Sequence, residues 1–333
     1  MKKCIRGLAS VAALCLAAVA LAGCSGGGGS AQKAATAPAD RNGDGKVVIG
    51  YSSIAYSIAV LPQYIFAGLE ADCKTRGWEL QHLSAEGDAM LQGEQISQLI
   101  QQDLDYLVVF PADPMLAVDW MKEVSEAGIP AVMIHTDVAE VGREYAKAYC
   151  GPDNYAMAES LAKAVVEKYG ADAGIGIVEI GGVPVQSDYI ERVAGFDDYI
   201  KANSNFKVLG LEWAYSNRAD AQSYMENFIS TYGNQINVLM GFDDDLTLGG
   251  VNALQAAGMT DVGVYSITGQ KEAIQAIKDG KMTMTAYYST AATAQNALKC
   301  IDDLAAGKTI EYFHYTDVPL ITKENADKYE GEF

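Results

Sequence analysis

From Lys46 onward, short runs rich in Val, Ile, Leu and Tyr alternate with longer segments whose apolar residues recur at helical spacing. A strand buried on both faces needs a near-continuous apolar run, whereas the helix covering it needs only one apolar stripe. The alternation therefore predicts parallel strands joined by crossover helices. Residues 47–51, 106–110 and 131–134 read as central strands. Between the first two, Ile96, Leu99 and Ile100 stand at i, i+3 and i+4, and farther on Met157, Leu161 and Val165 keep a step of four, as amphipathic helices require.

A second set of strands is predicted at 174–180, 207–213, 238–242 and 262–267, again with helical patterns between. Two more, at 280–288 and 311–317, flank a helix over 291–306, and the pattern leaves open which sheet each late element joins. Roughly 290 ordered residues exceed what one core holds. The fold class is thus α/β, with two doubly wound parallel-sheet lobes.

The segment before these elements has a different character. Lys2, Lys3 and Arg6 precede an apolar run from Leu8 to Leu21, too short to span a bilayer, which reads as a signal peptide over 1–23. The run closes with Leu21-Ala22-Gly23-Cys24, which resembles the bacterial lipobox, and the resemblance implies that the Cys24 thiol is acylated and that the chain is held at the outer face of the cell membrane. Ser25-Gly26-Gly27-Gly28-Gly29-Ser30 and the polar stretch to Gly45 show no apolar periodicity, so 24–45 is expected to be a flexible tether.

Loss of residues 1–23 removes Lys2, Lys3 and Arg6 and no acid, taking the net charge from −19 to −22. A chain this acidic, with its Lys and Arg scattered, does not bind nucleic acid. Cys73, Cys150 and Cys300 remain besides Cys24, without metal-ligand spacing. They are read as buried thiols, and one disulfide of unassigned pairing is possible in an oxidising compartment.

Several ordered motifs between Lys46 and Lys323 resemble the periplasmic sugar-binding family typified by ribose-binding protein. They are Phe110-Pro111-Ala112-Asp113 after a strand, Ile129-Pro130 before one, Arg192-Val193-Ala194-Gly195-Phe196, Gly241-Phe242-Asp243-Asp244-Asp245-Leu246, and Asp279-Gly280-Lys281. The resemblance implies the type I periplasmic binding protein fold, with crossovers near 149–151, 287–288 and 311–317. A first lobe of 46–150 plus 288–312 and a second of 151–287 plus 313–333 follow. It implies capture of a small solute for an ABC importer, by a protein expected to be monomeric and to meet permease subunits. Three positions depart from the family. His135 stands where an Asp is frequent, Thr268 where an Asp is common, and Tyr288 where Gln or Asn often occurs, which points away from ribose itself.

In open parallel sheets the ligand lies beyond the carboxyl ends of the strands. The candidates are Ser52, Ser53, Tyr56, Asp113, His135, Thr136 and Asp137 from the first lobe, Arg192, Trp213, Tyr215, Asp243 and Thr268 from the second, and Tyr287 and Tyr288 at the crossing. Carboxylates accept from hydroxyl pairs, Arg donates to oxygens and aromatic faces cover C–H surfaces, so the set fits a monosaccharide, polyol or related solute. Structural roles compete: Asp113 and Asp243 or Asp244 as helix caps, Arg192 as partner of an acid in its own lobe, and His135 as a loop histidine. Of Trp213 and Tyr215, one faces the core and the other the cleft, with Trp213 taken as the outward one.

Asp40, Asn42, Asp44 and Gly45 match the opening of a calcium loop, but Tyr51 occupies the place of its closing Glu. Gly174 and Gly176 precede an apolar strand instead of following one, which excludes a dinucleotide fingerprint. His82, His135 and His314 lack metal-ligand pairing, and no nucleophile, base and oxyanion set is assembled. No metal, cofactor or catalysis is expected. The alternative function keeps the fold but presents a sugar-like or aromatic signal to a chemoreceptor or sensor kinase.

Overall fold

The computed structural model describes residues 39–57 and 59–333. The signal peptide, Cys24 and the Gly-rich stretch lie outside the described residues. Among those described, no helix is long and apolar enough to cross a membrane.

The chain opens with β1 (Val48–Ser53), α1 (Val60–Arg76), β2 (Glu79–Ser84), α2 (Ala89–Ile100), β3 (Tyr106–Val109), α3 (Leu116–Glu126), β4 (Ala131–Ile134) and β5 (Ala148–Gly151). It continues through α4 (Asn154–Tyr169), β6 (Gly176–Gly181), α5 (Ser187–Asn203), β7 (Lys207–Trp213), α6 (Arg218–Tyr232), β8 (Ile236–Gly241), α7 (Asp244–Ala256), β9 (Gly263–Thr268), α8 (Lys271–Lys278) and β10 (Met284–Tyr287). The last elements are α9 (Thr290–Ala305), β11 (Phe313–Tyr315) and β12 (Leu320–Thr322). Two six-stranded sheets result, in the orders β11-β5-β4-β3-β1-β2 and β12-β10-β9-β8-β6-β7. Every pairing is parallel except β10 with β12.

The central strands β1, β3 and β4 are buried along their whole length, as their unbroken apolar runs require. Helices end and begin where local chemistry dictates. Gly77 closes α1 at φ 72°, a left-handed conformation that costs glycine least. The side chains of Asp88, Asp153 and Asn217 accept amides at the starts of α2, α4 and α6. The Arg-x-x-Gly-Phe motif has a packing cause: a Cβ on Gly195 would lie 2.2 Å from the Tyr155 carbonyl oxygen, so only glycine lets α5 lie this close to α4.

The late elements divide between the sheets. Ala294, Ala297, Leu298 and Ile301 of α9 pack with Ile49, Tyr51, Ile65 and Leu69, which places α9 in the first lobe. β10 and β12 join the second sheet. β11 pairs with β5, His314 opposite Cys150, so the expected return to the second lobe at residue 313 comes too early. The chain crosses after Tyr315, because Phe313 and Tyr315 pack their rings against Tyr149 of β5.

The flexible tether also ends earlier than expected. Ala39 and Asp40 are buried. Asp40 accepts the amides of Gly43 at 2.6 Å and Gly45 at 2.9 Å. Arg41 donates its amide to the Asp105 carboxylate at 2.6 Å and its guanidinium to the carbonyls of Asp105 and Gly128. The same Asp105 accepts from Val48 at the start of β1. Polar fit, invisible to apolar periodicity, seats this segment on the first lobe.

Candidate functional site

Beyond the carboxyl end of β4 the chain turns through His135, at φ 65°. Its amide donates to the Cys150 carbonyl, and its own carbonyl accepts from the Tyr149 hydroxyl at 2.8 Å, so the neighbouring strand β5 fixes from two sides a conformation that residues with a side chain rarely adopt. The imidazole, 4% exposed, lies between Phe110 and Tyr288, with ring centroids 4.9 and 5.5 Å away.

The second lobe meets this turn at the start of α5. Asp188 accepts from the Thr136 hydroxyl at 3.2 Å, and its other oxygen lies 3.7 Å from His135 Nε2 and 3.7 Å from Arg192 Nη2. Beside it, Ser187 accepts the Asp137 amide and donates to the Asp137 carbonyl. Asp188 and Arg192 are four apart on one helix, hence on one face. Arg192, 1% exposed, donates to Asn154 Oδ1 and the Phe242 carbonyl, both at 2.9 Å, and its guanidinium lies over the rings of Tyr189 and Tyr288.

Burial sets the charges. It pushes the His135 imidazole well below its usual range, and the Arg192 charge adds to this, so His135 is neutral and its approach to Asp188 is not an ion pair. Burial raises the carboxyls of Asp188 and Asp243 while Arg192 opposes the rise. It also works against the Arg192 charge, but Asp188, with Tyr288, Tyr189 and Asp243, more than offsets it and holds the guanidinium above its ordinary value. Two buried polar atoms in this cluster, His135 Nδ1 and Arg192 Nη2, have no hydrogen-bond partner within the protein. Buried polar groups are seldom left so, and an orphaned donor beside an orphaned ring nitrogen suits a hydroxyl-bearing ligand.

The structure brings together His135, Thr136, Arg192 and Tyr288 of the expected residues. Others are committed elsewhere. Asp113 accepts the amides of Met115 and Leu116 at 2.8 and 3.0 Å and opens α3, the capping role rather than the ligand role. Asp137 accepts from Arg143, Tyr312 and Val138, all within the first lobe, because burial demands partners for its carboxylate. Ser52 is fully buried and accepts from Gln92, and Ser53 contacts His82. Tyr56 packs against Phe66 and His82.

Asp243 caps α7 through the Asp245 amide and accepts from Thr268 at 3.2 Å, so these two residues hold each other at the edge of the cluster. Tyr287 turns to Glu332. Trp213 lies over Gly181, half-buried, while Tyr215 is 65% exposed in a left-handed turn; the outward residue of the pair is Tyr215, because the strand ends before it.

The residues missing from the expected set are Asp188, Asn154, Tyr189 and Phe110. Asp188 carried a readable signal, an acid one helical turn before Arg192. Asn154 did not, since its role depends on α4 packing against α5.

The family model described as periplasmic binding protein domain matches residues 47–309. A xylitol-binding protein of Mycolicibacterium smegmatis is 27% identical over 262 residues, which cover 78% of this chain and 73% of that protein. The ribose import binding protein of Bacillus subtilis is 27% identical over 263 residues, covering 78% and 83%. Among solved structures, an ABC transporter solute-binding protein of Mycobacterium smegmatis with bound glycerol matches with a TM-score of 0.79 at 26% identity, over 87% of this chain and 98% of that one. Another, from Bacillus halodurans with bound myo-inositol, matches with a TM-score of 0.79 at 24% identity, over 86% and 97%. The two doubly wound lobes are therefore those of type I periplasmic binding proteins, as the sequence motifs implied.

Proposed function

We propose, from the premise that this chain belongs to the periplasmic binding protein domain family, that it captures a monosaccharide, polyol or related small polar solute between its lobes and delivers it to the permease of an ABC importer. Members of the family are solute-binding proteins rather than enzymes, exported from the cytoplasm, and the relatives named above carry that role in their own names. The observation that carries the reading is the pair of orphaned buried atoms, His135 Nδ1 and Arg192 Nη2, facing one cluster with aromatic rings on either side. A polyol donates a hydroxyl to the neutral imidazole, accepts from the guanidinium with another oxygen, and lays its C–H face on Tyr288 or Phe110. Closure of the two lobes expels water and strengthens each of these bonds, and the closed shape is what a transporter reads.

Acylated Cys24 holds the protein at the outer face of the membrane in this reading, so that the lobes stay near the permease. Labelled fatty acid would enter the wild-type chain and not Cys24→Ser. The solute is found by calorimetry and thermal shift against pentoses, hexoses, cyclitols, xylitol, glycerol and nucleosides. The true ligand stabilises by about 2.7 kcal/mol at a hundredfold excess over Kd. Failure of every small polar solute to bind would overturn the reading.

A further inference from the structure

Three cysteines remain in the described residues, all buried in the first lobe's core beside Ile49, Ile65 and Leu298. Their positions differ. Cys150 on β5 and Cys300 on α9 place their sulfurs 3.6 Å apart, in direct contact, though 150 residues separate them in sequence. Theirs is the one thiol–thiol contact among the described residues, and Cys73 on α1 takes no part in it. Each is at most 1% exposed.

The pair also occupies a particular point of the topology. Cys150 precedes the first crossing by one residue, and Cys300 lies in the helix that follows the second crossing. Everything between them that belongs to the second lobe is an insertion into the first, entered just after Cys150 and left at the start of α9, ten residues before Cys300. A bond here would tie β5 to α9 inside the first lobe without spanning the cleft, so the lobes would still hinge.

We propose that Cys150 and Cys300 are a disulfide site, oxidised to a cross-link when the chain folds outside the cytoplasm. The oxidant is an external disulfide, of a thiol oxidoreductase or a small molecule. A thiolate of the pair first displaces one thiol from it, and the second protein thiolate then displaces the other. Two protein S–H bonds and the external S–S bond break. One protein S–S bond and two S–H bonds on the departing thiols form, so the protein loses two electrons and the external disulfide gains them. Burial requires this to happen before the first lobe's core closes, and thereafter shields the bond from reductants. The proposal rests on export, not on the identity of the solute.

The test uses the full chain secreted into an oxidising compartment, denatured, alkylated without reductant and digested. The expected product is one linked species joining the peptides of Cys150 and Cys300, lost on reduction, with Cys73 carrying the label throughout. Closing so long a loop constrains the unfolded chain strongly, so reduction in denaturant followed by refolding should lower Tm by on the order of 10 °C. The Cys150→Ala/Cys300→Ala chain should show no such shift. Recovery of Cys150 and Cys300 both labelled, or either one linked to Cys73, would overturn the proposal, and neither readout depends on the variant folding. Solute affinity unchanged by reduction is expected, and this separates the cross-link from the binding reading.

Discussion

The first lobe brings rings and backbone to the cleft through Phe110, His135 and Tyr149, whereas the second brings ionisable groups, with Asp188 and Arg192 fully buried and Asp243 half-buried. Carboxylates of the first lobe that lie near the cleft are bound internally, Asp137 by Arg143 and Tyr312 and Asp113 by the amides of α3. Charge cannot be left unpaired where water is excluded, so the second lobe must keep its network geometrically fixed even without solute. The first lobe is free of that constraint and contributes shape. For the proposed function the difference implies an asymmetric recognition, in which one lobe orients the solute and the other closes over it.

Removing the guanidinium is the hardest blow to this comparison. Arg192→Met would leave the buried carboxyls of Asp188 and Asp243 without the cation that opposes their rise, and breaking a buried pair in this way costs about 3–5 kcal/mol. Tm should fall and affinity should drop by more than ~100-fold, read by calorimetry on the solute found in the panel. Arg192→Lys should retain the stability in part but not the affinity, because an ammonium lacks the fork that reaches Asn154 and Phe242 together. Equal effects of the two variants on affinity and on Tm would show that the positive charge by itself contributes nothing and that only the guanidinium's fixed fork matters.

Asp188 tests where the two lobes touch. Asp188→Asn keeps an acceptor for Thr136 but loses the charge beside Arg192, and Thr136→Val removes the hydroxyl alone. Each should weaken binding by about tenfold, the worth of one charge-assisted hydrogen bond, chiefly by faster dissociation. Thr136→Val should leave Tm nearly unchanged, since the bond it deletes forms only when the lobes meet. Unchanged dissociation in both would mean that this contact is incidental to closure.

A buried acid of the second lobe that lacks a cationic partner brings pH into the comparison. Glu179 on β6 is fully buried, and its carboxyl has only the neighbouring acid Asp197 to turn to, an arrangement that favours the proton on Glu179. Burial, then Asp197, raise the Glu179 carboxyl well above its usual range. A raised acid is stabilising below its unfolded value, about 4.5, and its contribution is lost as pH rises through the folded value. The second lobe should therefore lose stability on the alkaline side of pH 4.5. Glu179→Gln should raise Tm by a few degrees at pH 8 and leave it nearly unchanged at pH 4. An equal shift at both pH values would remove titration as the cause.

The fold was largely legible in the sequence because burial on both sides of a strand writes itself as an apolar run. The strand at 131–134 and the edge strand ending at Trp213 were located to the residue. Seating of Ala39–Gly45 was not legible, since it depends on one buried acceptor, Asp105, more than sixty residues away. At the site, loop acids such as Asp113 and Asp137 looked like ligand groups because a residue type does not reveal which partner claims it. Arg192 entered the candidate set through its motif, whereas Asp188, whose carboxylate meets residues of both lobes, required attention to helical spacing rather than to strand ends.

Asp113 gives the smallest effect and the finest discrimination. Its carboxylate accepts two amides at the start of α3, and losing such a cap costs about 1 kcal/mol of stability. Asp113→Ala should show that loss in a denaturant titration, with solute affinity within about twofold of wild type, and Asp113→Ser should recover the stability because a hydroxyl caps equally well. The serine variant matters because it separates capping from charge. If affinity fell in both variants while serine restored stability, the carboxylate would be reaching the solute, and the first lobe would then bring a charge of its own to the cleft. Asp137, held by Arg143, would become the next acid to examine, since the asymmetry between the lobes depends on both carboxylates being occupied at home.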